Sequence, residues 1–233
     1  MKVSVFSYDF PHKKSQDFIT RLWLENIPVA MVIGAPPVEL PYSKIAFRAK
    51  PRYGGLIHPA RVCDRLGIPY RAMDHNSQTV AGFLKDLSID VVIIAGARIL
   101  RRSIIAVPTV GIINFHPGLL PDVRGLDALK WSVYRDVPPG VTAHFIDERV
   151  DAGRIILRRP LPVYRDDGWV DLSLRLDEAQ VELLPTVVRM VFDRPAQDAY
   201  EQVSGGCLNR SMPPEIQRTV MAKFESWKER HTQ

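Results

Sequence analysis

Apolar residues follow two rhythms along this chain, and the rhythms alternate. Short, often β-branched runs occupy Lys2–Tyr8, Pro28–Gly34, Tyr70–Met73, Asp90–Ala95 and Gly111–His116. Between them lie stretches with apolar residues three and four apart. Ser15–Asn26 carries Phe18, Ile19, Leu22 and Trp23, with Ser15 as a candidate N-cap. Pro59–Leu66 is closed by Gly67, and Ser77–Leu87 sets Val80, Phe83, Leu84 and Leu87 on one face. The run from Asp90 to Ala95 shows no polar alternation, as expected of a strand covered on both faces. This alternation predicts an α/β fold, doubly wound around a largely parallel sheet. Such sheets bind ligands beyond the carboxyl ends of their strands, where the strand order reverses.

After Gly125 the pattern loosens. Asp127–Tyr134 is a predicted helix ended by Pro138-Pro139-Gly140, and Val141–Ile146 and Ile155–Val163 are strands flanking the segment 147–154. Leu172, Leu176, Ala179, Leu183, Val187 and Val191 mark a long helix, kinked or broken at Pro185. Residues 1–195 read as one catalytic domain and 196–233 as a short C-terminal appendage. In that appendage Met221, Phe224 and Trp227 share a helical face with no evident partner, so a homodimer through it is an expectation.

Composition narrows the class. At 46% hydrophobic the chain can bury a sizeable core. Its two cysteines, Cys63 and Cys207, make no disulfide framework. The apolar runs are too short to span a bilayer, and the N-terminus lacks the features of a signal peptide. A soluble, cytoplasmic protein with no membrane partner is expected. The net charge of +5 suits an anionic partner without choosing one, and nucleic acid is not expected. The six histidines and two cysteines show no metal-ligand spacing, so no metal site is expected.

Two stretches carry candidate chemistry. In "GIINFHPGLLPDVRG", Asn114 and His116 are two apart, which puts both on one face of a strand at its carboxyl end. They either address a reacting group or end a strand with their polar atoms satisfied by nearby loops. In "HFIDERVDAG", Asp151 precedes a small residue and Gly153, and it either faces a cleft or caps a turn. A carboxylate held near His116 would orient the imidazole and raise its pKa. His144 lies on the preceding strand, either lining the cleft or bonded to backbone.

Together, N-x-H-P-x-L-L-P-x-x-x-G and the later D-x-G resemble the formyltransferase family that uses N10-formyltetrahydrofolate. The matching residues are Asn114, His116, Pro117, Leu119, Leu120, Pro121, Gly125, Asp151 and Gly153. "VVIIAGARIL", Val91–Leu100, is similar to the family's folate-side loop. The resemblance implies a Rossmann-like formyltransferase fold, with N10-formyltetrahydrofolate as co-substrate. An amine would attack the formyl carbon. Asn114 would donate its amide to the resulting oxyanion, and His116 would stabilise that charge or shuttle the amine's proton. Asp151 would orient and charge His116. Gly96, Ala97, Arg98, Ile99 and Leu100, with Asp147 and Val150, would wrap the pterin.

Departures from the family's patterns point to the acceptor. The loop Tyr8–Ser15 has no glycine, unlike the phosphate loop of members acting on glycinamide ribonucleotide. The residues after Asp151 do not fit the barrel of members acting on methionyl-tRNA, and the chain starts directly on its first strand, unlike deformylase relatives. "RGLDALKWSVYRDVPPGVTAHFID" and "GGCLNRSMPPE" look most like sugar N-formyltransferases. That likeness implies a nucleotide-linked amino sugar as acceptor, for a surface polysaccharide of O-antigen type. Candidates for meeting the nucleotide are Lys13, Lys14 and the run Lys44, Arg48, Lys50, Arg52, with His144 on the amine side; taken singly, each of the lysines and arginines reads rather as part of a solvated basic loop. The serine common after His-Pro in the family is Gly118 here.

Overall fold

The computed structural model describes residues 1–39, 43–197, 200–202 and 204–232. Strands β1 (Val3–Tyr8), β2 (Val29–Ala35), β3 (Tyr70–Ala72), β4 (Val91–Ile94) and β5 (Gly111–His116) pair in parallel. β7 (Gly140–Phe145), β8 (Arg154–Pro160) and β9 (Glu201–Gln202) extend the sheet antiparallel, giving the order β3-β2-β1-β4-β5-β7-β8-β9. The order reverses between β1 and β4, so a crevice opens beyond their carboxyl ends. β4 is fully apolar because the sheet is covered on both faces. On one side lie α1 (Lys13–Leu24), α2 (Pro59–Leu66) and α6 (Trp169–Asp193). On the other, α3 (Gln78–Asp86) and the short α4 (Arg102–Ile105) cover Phe6, Ile33, Val92 and Ile112. α5 (Ala128–Arg135) precedes β7.

Two local expectations need correction. The N-cap of α1 is His12, whose ring nitrogen accepts from the Ser15 N–H; the Ser15 hydroxyl is instead buried against the Ala95 carbonyl. Helix α6 runs unbroken through Pro185, which sits on its buried face. A single missing N–H is tolerated there because the flanking Leu183, Leu184, Val187 and Val188 are all packed into the core.

The largest correction concerns the C-terminal segment. Helix α7 (Pro214–His231) docks on its own chain: Phe224 stacks on Trp169 at 4.2 Å, and the Trp227 indole donates to the Val137 carbonyl at 3.0 Å. Phe224 and Trp227 are therefore core residues and not a free dimer face, while Met221 is exposed. Upstream of α7, β10 (Leu208–Asn209) pairs in parallel with the two-residue β6 (Arg124–Gly125). Among the described residues, no helix is long and apolar enough to cross a membrane.

Candidate active site

β5 ends in the crevice. Its alternation sends Phe115 into the core, edge-on to Phe18 at 5.3 Å, and puts Asn114 and His116 on the opposite face. The antiparallel partner β7 sets His144 opposite Asn114, so it enters the same group. Asp151 arrives from the turn between β7 and β8 with φ of 47°, a left-handed conformation that Asp adopts more readily than most residues. Gly153 lets that turn fold back, since a Cβ there would overlap the Phe145 carbonyl.

Three side chains, Asn114, His116 and His144, converge on the Asp151 carboxylate. Asp151 Oδ2 accepts from the Gly125 N–H at 2.9 Å and faces His116 Nδ1 at 3.4 Å. Oδ1 accepts from Asn114 Nδ2 at 3.4 Å and lies 3.5 Å from His144 Nε2. His144 donates from Nδ1 to its neighbour's carbonyl, Phe145, at 2.9 Å, and its Nε2 lies 3.3 Å from Asn114 Nδ2. The Asp151 carboxylate orients the Asn114 amide. Both of the amide's contacts are longer than the usual 2.9–3.0 Å, so it is loosely held. His116 donates from Nε2 to the Val123 carbonyl at 2.8 Å.

Burial pushes His116 below the ordinary imidazole range, and the Asp151 charge opposes that shift. Burial alone would raise Asp151, but His116, His144 and the Gly125 N–H outweigh it and hold the carboxyl well below its usual range. Asp151 is ionised beside a ring whose Nε2–H is committed to a carbonyl, so a proton held at Nδ1 forms an ion pair with it.

The other predicted residues surround this group unevenly. Lys14 reaches it, donating to the Phe115 carbonyl at 2.8 Å; burial pushes its pKa down to about 8, against the charges of Asp177 and Asp151. Lys13 turns away to Asp17 at 2.6 Å and lies over the Tyr53 ring. His12 is pushed down to about 4 by burial first and then by Lys14, Lys50 and Arg98, which marks a convergence of cations beyond β1. Gly96–Leu100 forms the loop after β4: Gly96 packs closely on Tyr8, Arg98 lies over the Tyr8 ring at 4.8 Å, Ile99 is exposed and Leu100 is buried. Ala97 accepts from the Tyr8 hydroxyl at 3.0 Å through its carbonyl. Asp147 binds Arg149, and the Val150 carbonyl accepts from Arg124 at 2.9 Å.

Some supports were not read from the sequence. Asn76 clamps the loop after β4, donating to the Ile99 carbonyl at 3.0 Å and accepting from the Arg101 N–H at 2.7 Å. Arg124 ties the residue before Asp151 to the C-terminal segment, through the carbonyls of Val150 and Gly205. A lone asparagine and a lone arginine in loops carry no spacing signal that would single them out.

Known proteins share this framework. The Formyl transferase family matches residues 14–188, well over half of the chain. A trifunctional purine biosynthetic protein adenosine-3 from Homo sapiens is 34% identical over 138 residues, covering 55% of this chain and 14% of that protein. A methionyl-tRNA formyltransferase from Thermosynechococcus vestitus is 36% identical over 103 residues, covering 43% of this chain and 31% of the relative. The chain therefore spans less than a third of the length of either. A sugar N-formyltransferase structure from Shewanella sp. superposes with a TM-score of 0.62 at 20% identity, covering 90% of this chain and 76% of that one, which speaks to the fold. With the matched region running from the start of α1 to the last turns of α6, and so containing the whole Asn114–His116–His144–Asp151 group, the chain belongs to the formyl transferase family.

Proposed function

We propose that this protein transfers a formyl group from N10-formyltetrahydrofolate to the primary amine of a nucleotide-linked amino sugar. The Asn114, His116 and Asp151 group at the strand ends carries the formyl-transfer part of the reading. The donor supplies a formyl carbonyl whose oxygen gains negative charge as the amine attacks. Asn114 Nδ2 exchanges its two long contacts for that oxygen, and one such donor in a preorganised site is worth roughly 3 kcal/mol. His116 holds the amine's proton at Nδ1, where the ionised Asp151 balances the charge, and returns it to the departing nitrogen. Because His116 is only 3% exposed and its Nε2 is taken by Val123, the more accessible carboxylate edge is the route by which that proton arrives. The exposed Ile99 and the clamped loop carrying it fit a flat apolar ring such as the pterin.

The acceptor reading rests on the loop after β1. Phe10 stacks on Tyr8 at 4.9 Å and His12 meets both rings edge-on, so side chains fill the place where a glycine loop would cradle a phosphate. The cations converging on His12 suit a diphosphate lying further out. The test is a panel of nucleotide-linked amino sugars, incubated with enzyme and formyl donor and analysed by mass spectrometry for one added formyl group. Turnover of glycinamide ribonucleotide, with no sugar product, refutes the acceptor assignment.

A further inference from the structure

Of the basic residues near the site, Lys14 is the one that reaches the end of β5. Its ammonium donates to the Phe115 carbonyl at 2.8 Å, and that carbonyl belongs to the peptide unit that supplies the His116 nitrogen. The Phe18 ring packs on the same ammonium at 5.1 Å. The neighbouring cations go elsewhere: Lys13 to Asp17, Arg98 to the Tyr8 ring and the Val38 carbonyl, while Lys50 is exposed. An ammonium has three N–H donors, and Lys14 commits one of them. Among the described residues no carboxylate pairs with it; Asp177 and Asp151 bear on it only as charges further off. A partly desolvated cation with two uncommitted donors weakens a fold unless a ligand uses them.

We propose that Lys14 is a specificity residue, donating to a hydroxyl oxygen on the sugar carbon next to the one that bears the amine. The proposal deepens the acceptor reading above and rests on it. The two substrates meet at the end of β5 from opposite sides of the sheet. The loop carrying Ile99 leads into α4 on one side, and Lys14 opens α1 on the other, together with α6. The amine has to reach the formyl carbon beside Asn114, so what comes within range of Lys14 is the amine's own neighbourhood in the sugar ring. A hydroxyl there accepts one of the uncommitted N–H groups, and an acceptor without it leaves the charged donor unpaired in a closed site.

Lys14→Met keeps the length of the side chain and removes its charge and donors. The substrates are pairs of nucleotide-linked amino sugars, one member with and one without a hydroxyl on the carbon beside the amine, each assayed with the formyl donor. The wild type should favour the hydroxylated member by about tenfold to a hundredfold in kcat/KM, the worth of a hydrogen bond from a charged donor. The variant should lose that preference, with the loss falling on the hydroxylated member. Equal losses on both members, or a wild type with no preference, overturn the proposal and leave the acceptor class standing. Turnover of no sugar overturns the acceptor reading and the proposal with it. Urea unfolding at pH 7 tells recognition from support. The variant should be no less stable than the wild type, because burial lowers the Lys14 pKa and the charged form therefore costs the folded state. A clearly lower midpoint, even in a variant too unstable to assay, makes Lys14 a brace for the Phe115 carbonyl and overturns the proposal.

Discussion

Asp151→Asn separates charge from shape at the centre of this site. Asparagine tolerates the left-handed backbone at position 151 and can still accept from the Gly125 N–H, so the turn is kept. What goes is the negative charge 3.4 Å from His116 Nδ1. Two unit charges at that distance, with an effective dielectric constant of ~20, attract by about 5 kcal/mol. The asparagine amide oxygen can still accept a hydrogen bond from the charged ring, which restores roughly 2 kcal/mol of this. About 3 kcal/mol of support for the protonated ring is then lost, or on the order of a hundredfold in rate. The assay is single-turnover formyl transfer with the acceptor at saturation, followed across pH. The expected result is a hundredfold lower rate constant and an acid limb moved down, because the charge that raises the His116 pKa is gone. Thermal stability at neutral pH should fall as well, because the contacts that hold the Asp151 carboxyl below its usual range outweigh its burial cost and the ionised group therefore stabilises the fold. A variant retaining more than about a third of the wild-type rate would falsify the proton-holding role.

Other outcomes follow from single contacts. Asn114→Ala should lower kcat by on the order of a hundredfold or more in the same assay, and a loss confined to KM contradicts a role at the formyl oxygen. His12 is pushed down from 6.5 to about 4, so below pH 6.5 the unfolded chain binds the extra proton and stability falls with pH; the loss from pH 7.5 to 5 is about 2 kcal/mol. His12→Asn keeps an N-cap acceptor and removes this titration, and urea unfolding at the two pH values should show the pH-dependent loss narrowed by that amount. Trp227→Ala empties a fully buried site and strips the Val137 carbonyl of its donor, at a cost of about 3–5 kcal/mol by denaturant unfolding. A loss under about 1 kcal/mol there means that α7 is not docked as described.

How much of this was legible in the chain depends on how each signal is carried. The five parallel strands announce themselves because β4 and β5 are buried on both faces and helices separate them. Asn114 and His116 could be placed on one face because strand periodicity is strict, and Asp151 because a D-x-G turn follows an apolar strand. The supports left no such trace. β6 and β10 are two residues each, too short for periodicity, and their pairing joins segments far apart in sequence. Phe224 and Trp227 gave a clear helical face but no indication that it closes on Trp169 and Val137 of the same chain. Pro185 is a helix breaker by intrinsic preference that packing overrides.

The pairing of β10 with β6 also sets an order of assembly. The N–H that seats Asp151 belongs to Gly125, whose neighbour across the small ladder is Asn209, and the Leu126 N–H donates to the Asn209 carbonyl at 3.0 Å. During synthesis the five parallel strands and β7 are complete well before residue 209 exists. The sheet can condense on local crossovers, but the carboxylate is seated only by a late, long-range closure of the kind that slows folding. A growing chain thus holds most of its sheet before the Asp151 seat is complete, and the proposed chemistry has to await β10.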